Sequence, residues 1–150
     1  MPEVKKYTIL VVDDEPTNVA VLNAMLRDNY KVKAALNGEN AIKVAKNYPQ
    51  PDLILLDVLM DKMDGFEVCK ILKSNKDTKH IPIVFVTALN ERKSDQKGIQ
   101  LGAIDFFSKP YNAPIILKRI ENHLSSLQKS RDLEELIQQK NNGVDFKENR

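Results

Sequence analysis

The sequence predicts an α/β fold: a doubly wound five-stranded parallel sheet with helices on both faces and an extended C-terminal helix. Three observations predict it. Short aliphatic runs recur along the chain, apolar on both faces as the central strands of a helix-covered parallel sheet must be. Amphipathic stretches with helical spacing separate them, and glycines and prolines punctuate the joins. The order strand, helix repeats five times, which implies an open parallel sheet wound by right-handed crossovers.

The first strand is "TILVV" at 8–12, which runs into Asp13, Asp14 and Glu15 before Pro16. The helix that follows carries Val19, Leu22, Met25 and Leu26 on one stripe. A weaker second strand, "YKVKAA" at 30–35, precedes a helix with Ala41, Ile42 and Ala45. "LILL" at 53–56 is the third strand; Phe66, Cys69 and Leu72, with Ile71, mark the third helix. "IVFV" at 83–86 is the fourth strand, with Ile99 and Leu101 closing a more polar fourth helix, and "IDFF" at 104–107 is the fifth.

From Pro114 no helix breaker occurs until "NNG" at 141–143. Pro114 suits a first turn and Gly143 a C-terminal stop. Such a helix has about 28 residues and spans about 40 Å at 1.5 Å per residue, more than a five-stranded sheet needs. Ile116 or Leu117, Ile120, Leu124 and Leu127 keep a 3-4 spacing, and apolar character resumes at Leu133, Leu136 and Ile137. The second half is therefore expected to project beyond the domain. This divides the chain into an N-terminal tail at 1–6, a domain at 7–127, a helical extension at 128–142 and a flexible tail at 143–150.

The chain has 150 residues, 42% hydrophobic and 29% charged, which suits one domain with a packed core and excludes global disorder. A net charge of +2 without a Lys/Arg block argues against direct nucleic-acid binding. The single cysteine, Cys69, excludes an internal disulfide and suits a reducing compartment. No apolar run approaches the roughly 20 residues that span a bilayer. "MPEVKKYT" lacks the apolar core of a signal peptide. A cytoplasmic protein with no membrane insertion is expected.

A buried strand that ends in like charges requires a reason. Doubly wound sheets bind ligands beyond the carboxyl ends of their strands. There the sequence places Asp13 and Asp14 after strand one, Asp57 after strand three, Thr87 after strand four, and Ser108, Lys109 and Pro110 after strand five. Packed carboxylates raise one another's pKa and destabilise a fold unless a cation neutralises them. Mg²⁺ does so with octahedral oxygen ligands. A carboxylate, a divalent metal, a lysine and a hydroxyl are the parts that transfer a phosphoryl group onto an aspartate. Blander roles stand beside these. The three acids can cap the first helix, the better reading for Glu15. Thr87 suits a strand end, Lys109 can be solvated, Cys69 reads as a small core residue, and His80 and His123 read as surface residues.

The motifs "ILVVDDEP", "DLILLDVLMDKMDGFEV", "IPIVFVTA" and "GAIDFFSKP", in this order and spacing, make residues 7–127 resemble the receiver domain of two-component response regulators. The resemblance implies a flavodoxin-like sheet of order 2-1-3-4-5. It implies that Asp57 accepts a phosphoryl group from a histidine kinase or a histidine phosphotransfer protein. Mg²⁺ would be held by Asp14, by Asp13 directly or through water, by Asp57 and by the Leu59 backbone carbonyl. Lys109 and Thr87 would contact phosphoryl oxygens, and Ala88 would leave room for them. The Lys109–Pro110 peptide would be cis, and Phe106 would be the second switch residue. Output would pass through the surface of the fourth helix, fifth strand and fifth helix, and through the C-terminal helix. Such a protein is a switch with slow autodephosphorylation, not an enzyme.

Two residues depart from the family's pattern: Asp61, where proline is frequent, and Phe106, which lacks a tyrosine hydroxyl. "ENHLSSLQKSRDLEELIQQ" resembles linkers to phosphodiesterase, diguanylate cyclase or kinase domains. A stand-alone receiver that dimerises through this helix and an N-terminal fragment of a longer regulator both fit. A Mg²⁺-dependent aspartyl-phosphate phosphatase would want D-x-D, but Leu59 and Glu15 stand two residues after Asp57 and Asp13. A nucleotide-binding module would want G-x-G-x-x-G or a P-loop, and neither is present. A degenerate, phosphate-independent receiver would lack a site residue, and all five are here.

Overall fold

The aliphatic runs form five strands in the computed structural model, which describes residues 7–87 and 98–148, with side chains as far as 141. They are β1 (Thr8–Val12), β2 (Lys31–Ala35), β3 (Leu53–Asp57), β4 (Ile83–Thr87) and β5 (Asp105–Ser108). All pair in parallel, in the order β2-β1-β3-β4-β5. Every residue of β1, β3 and β4 is buried, as continuous aliphatic strands in a covered sheet should be. Edge strand β2 is mostly partly buried or exposed, with only Ala35 buried, and it carries Lys31 and Lys33, charges of the kind that discourage edge pairing.

Strand limits differ from expectation by a residue. β3 and β4 take in the polar residues Asp57 and Thr87, and β5 begins at Asp105 and includes Ser108. The ladder sets these limits: Asp57 pairs with Val86, and Thr87 with Ser108.

Helices α1 (Pro16–Leu26), α2 (Gly38–Lys46) and α3 (Gly65–Ser74) connect the first four strands. Leu10, Val12, Ile54, Leu56, Ile83 and Phe85 form one core cluster with Ala41 and Ala45 of α2 and with Val68, Cys69 and Leu72 of α3. The alternate residues Ile9, Val11, Leu53 and Leu55 face the other side of the sheet. α1, with Leu22 and Leu26 buried, packs against β1 and β2. Asn37 and Asp64 cap α2 and α3 by accepting from the backbone N–H groups of Asn40 and Glu67. Glu15 holds the N-cap position of α1, yet its side chain makes no capping hydrogen bond. Of the expected fourth helix, residues 98–100 are helical, Leu101 lies in the turn that follows, and residues 88–97 lie outside the described residues.

The C-terminal helix, Ala113–Glu148, forms a separate compact unit from Pro114 onward. Pro114 sits in its first turn, as expected. Gly143 does not end it, and helix occupies most of the tail expected to be flexible. A glycine costs a helix only about 1 kcal/mol relative to alanine, and no proline follows to break it. Ile116, Ile120 and Leu124 are buried and Leu127 is half-buried, whereas every residue from 129 to 141 is exposed. Ile116, not Leu117, is the buried member of the first turn.

Candidate functional site

A parallel sheet ends all its strands on one edge, and there the predicted residues meet. β1 and β3 are neighbours, and Val12 pairs with Leu56. The next residues, Asp13 and Asp57, therefore stand side by side at the point where the strand order reverses. Both are buried, at 2% and 5% exposure. One carboxylate oxygen from each of Asp13, Asp14 and Asp57 lies within 4.8 Å of the other two. From the end of β5 Lys109 reaches in, its Nζ 3.4 Å from Asp57 Oδ1 and 3.6 Å from Asp13 Oδ2. The backbone N–H of Lys109 donates to the Thr87 carbonyl, tying the lysine to the end of β4. Its peptide to Pro110 is cis, as expected, and so is Tyr48–Pro49, which the sequence did not suggest.

Among the described residues, three acids thus face the Lys109 ammonium. Burial raises the Asp57 pKa most, the Asp13 charge adds to it and Asp14 adds less, and Lys109 pulls against all three; the carboxyl ends up at about 6. Asp13 Oδ1 accepts from the Glu15 N–H at 2.9 Å. Its Oδ2 is buried without a hydrogen-bond donor, because 3.6 Å to Lys109 is an ion-pair distance only. A buried, orphaned carboxylate oxygen beside two more carboxylates is a donor set that fits a hard divalent cation such as Mg²⁺.

The connection from β3 to α3 closes one side. The Asp61 N–H donates to Asp14 Oδ2 at 3.2 Å, while Asp61 itself is exposed. The backbone of the residue that departs from the family's proline therefore supports the acidic site. The Met63 N–H donates to the Asp61 carbonyl at 2.8 Å, and Lys62 between them has φ +66°, an uncommon conformation for a residue with a Cβ. Gly65 returns the chain beneath β3, its N–H donating to the Val58 carbonyl at 2.9 Å. A Cβ there would clash with the Asp57 carbonyl oxygen. A cleft of about 470 Å³ lined by Asp14, Asn37, Gly38, Asp61 and Met63 opens beside Asp14.

The remaining predicted residues distribute as follows. Thr87 is buried at the end of β4. The half-buried Phe106 ring stacks on Phe85 at 5.8 Å between centroids, and Gly98 passes so close to both rings that a Cβ would clash with each. Leu59 is exposed in the connection after β3. Ala88 lies outside the described residues. Cys69 is a buried core residue whose thiol donates to the Leu101 carbonyl, and burial pushes its pKa up to about 11. His80 is exposed and His123 half-buried. Sequence reasoning missed two residues. Gly65 follows the α3 cap directly, a signal that was legible. Tyr111 has a buried hydroxyl without a partner, and burial, then Asp13 and Asp57, push its pKa up; its residue type alone carried no signal.

Among known proteins, the family model for the response regulator receiver domain matches residues 9–121. The response regulator PleD of Caulobacter vibrioides is 44% identical over 115 residues, 76% of this chain and 25% of that protein. A Vibrio cholerae protein named a probable cyclic di-GMP phosphodiesterase is 38% identical over 133 residues, 89% of this chain and 30% of that protein. The chain thus spans less than a third of these relatives' length. The crystal structure of the signal receiver domain of a signal transduction histidine kinase from Syntrophus aciditrophicus matches with TM-score 0.73 and 32% identity, covering 81% of this chain and 92% of that one.

Proposed function

The chain belongs to the response regulator receiver domain family, and on that premise we propose that it is a phosphorylation switch whose acceptor is Asp57. The observation that supports this reading most is one buried carboxylate at a strand end, flanked by two others and reached by Lys109. Receiver domains are phosphoacceptor switches rather than catalysts. The phosphodonor is a phosphohistidine of a histidine kinase or a histidine phosphotransfer protein.

The ionised Asp57 carboxylate attacks phosphorus in line; an O–P bond forms as the N–P bond breaks, and the imidazole leaves. Lys109 holds the developing negative charge on the phosphoryl oxygens. Asp13, Asp14, Asp57 and the Leu59 carbonyl would hold Mg²⁺, which when bound neutralises the crowded acids and the incoming phosphate. Thr87 turns its hydroxyl to the new phosphoryl group, beside Ala88, and Phe106 repacks against Phe85. A conformational bias of a few kcal/mol is enough to shift such a two-state element.

A specific observation bears on the output. The likeness to the Vibrio cholerae protein extends over 133 residues. In a chain of 150 residues such a match must reach at least residue 133, twelve residues past the end of the family model and into the exposed part of the C-terminal helix. This favours the helix as a connector to an output domain of a longer regulator. Its exposed Leu133, Leu136 and Ile137 also suit pairing with a second copy.

The test is intact mass after incubation with acetyl phosphate or phosphoramidate, with and without Mg²⁺, on wild type and Asp57→Asn. A single hydroxylamine-labile phosphoryl group that needs Mg²⁺ and Asp57 is expected. Absence of both that adduct and beryllofluoride binding would refute the proposal.

A further inference from the structure

Among the described residues two buried side-chain oxygens lack a hydrogen-bond partner, Asp13 Oδ2 and the Tyr111 hydroxyl. They are complementary: one only accepts, and the other has a proton to donate. Tyr111 follows Lys109 by two residues, and the Lys109 ammonium is an ion-pair neighbour of that same Asp13 oxygen. Asp13 and then Asp57 are the charges felt by the Tyr111 hydroxyl after burial itself. A phenol carries its proton at neutral pH and is therefore a donor.

A buried hydroxyl without a partner works against stability, and phenylalanine would fill the same space without that penalty. The hydroxyl therefore needs a role beyond packing. Hydrogen bonds at such sites are commonly long before the ligand arrives and tighten with it. Partners of this kind orient metal-binding carboxylates and strengthen their hold on the ion.

We propose that Tyr111 is a positioning residue of the acidic site, its phenolic O–H donating to Asp13 Oδ2 when the three carboxylates take up a divalent cation. This rests on the reading of Asp13, Asp14 and Asp57 as the cation site. Asp13 would then be held through both oxygens, Oδ1 by the Glu15 N–H and Oδ2 by Tyr111.

The experiment is calorimetric titration of the full chain with Mg²⁺ alone, on wild type, Tyr111→Phe and Asp14→Ala, beside denaturant unfolding without metal. Tyr111→Phe should raise the Mg²⁺ dissociation constant roughly tenfold. Its metal-free unfolding midpoint should equal or exceed that of wild type. An affinity within twofold of wild type would overturn the role of Tyr111 while leaving the cation site intact. So would a weaker affinity accompanied by a lower metal-free midpoint, which marks a packing role. Failure of wild type to bind Mg²⁺ more tightly than Asp14→Ala would overturn the cation site and the Tyr111 proposal together.

Discussion

Replacing Asp57 with asparagine should stabilise the metal-free protein, by an amount that depends on pH. In the fold, burial and the Asp13 charge hold the Asp57 pKa at about 6, against 3.8 for an unperturbed aspartate. The folded state therefore binds this proton more tightly than the unfolded chain does. Stability from the protonated form is fully present below about pH 4 and is lost as pH rises through about 6. The gap is about two pH units, or about 3 kcal/mol at 1.36 kcal/mol per unit, already net of the attraction of Lys109.

Asparagine is neutral throughout, so the advantage of Asp57→Asn over wild type should grow by about 2 kcal/mol between pH 4 and pH 7, the remainder of the gap being lost already at pH 4, where the unfolded aspartate is about half ionised. Any constant effect of the amide cancels in that difference. The assay is urea unfolding of both proteins in chelator at half-unit pH steps, with the two m-values compared to confirm that the same surface unfolds. A difference that stays flat from pH 4 to pH 7, or shrinks, would refute the reasoning. Added Mg²⁺ should narrow the gap at neutral pH, because the ion stabilises only the protein that retains all three carboxylates.

Gly65→Ala should destabilise by about 3 kcal/mol despite alanine's better helix propensity, since the new Cβ would press on the Asp57 carbonyl; chemical denaturation checks both sign and size. Asp14→Ala should weaken Mg²⁺ binding roughly tenfold or more by calorimetry, because it removes a ligand and the acceptor of the Asp61 N–H. Ending the chain after Gln128 should leave the unfolding free energy within roughly 0.5 kcal/mol, as residues 129–141 are exposed throughout. The same truncation should lower the mass seen in sedimentation if the exposed stripe pairs copies; an equal mass per monomer would remove that proposal.

The fold was largely legible because its signals are local. Aliphatic runs buried on both faces, glycine and proline at the joins and a strand-helix alternation leave few arrangements besides a parallel sheet. A parallel sheet in turn gathers every strand end on one edge, so the meeting of Asp13, Asp14, Asp57, Thr87 and Lys109 followed from where they stand in the sequence. Helix length was less legible: Gly143 reads as a stop, yet a single glycine only weakens a helix.

What the sequence could not decide were relations between atoms far apart in the chain. Lys109 reaches both Asp57 and Asp13, but only a bare ion-pair distance separates it from Asp13 Oδ2, which leaves that oxygen orphaned. The raised pKa of Asp57 depends on how deeply the end of β3 is covered. Asp61 serves through its backbone, and Gly65 is required by a carbonyl eight residues earlier. Tyr111 became visible only when its hydroxyl proved to be buried without a partner. Periodicity fixes which residues share a strand or a face; burial depth and hydrogen-bond partnership arise only when separate segments pack, and they set the chemistry of this site.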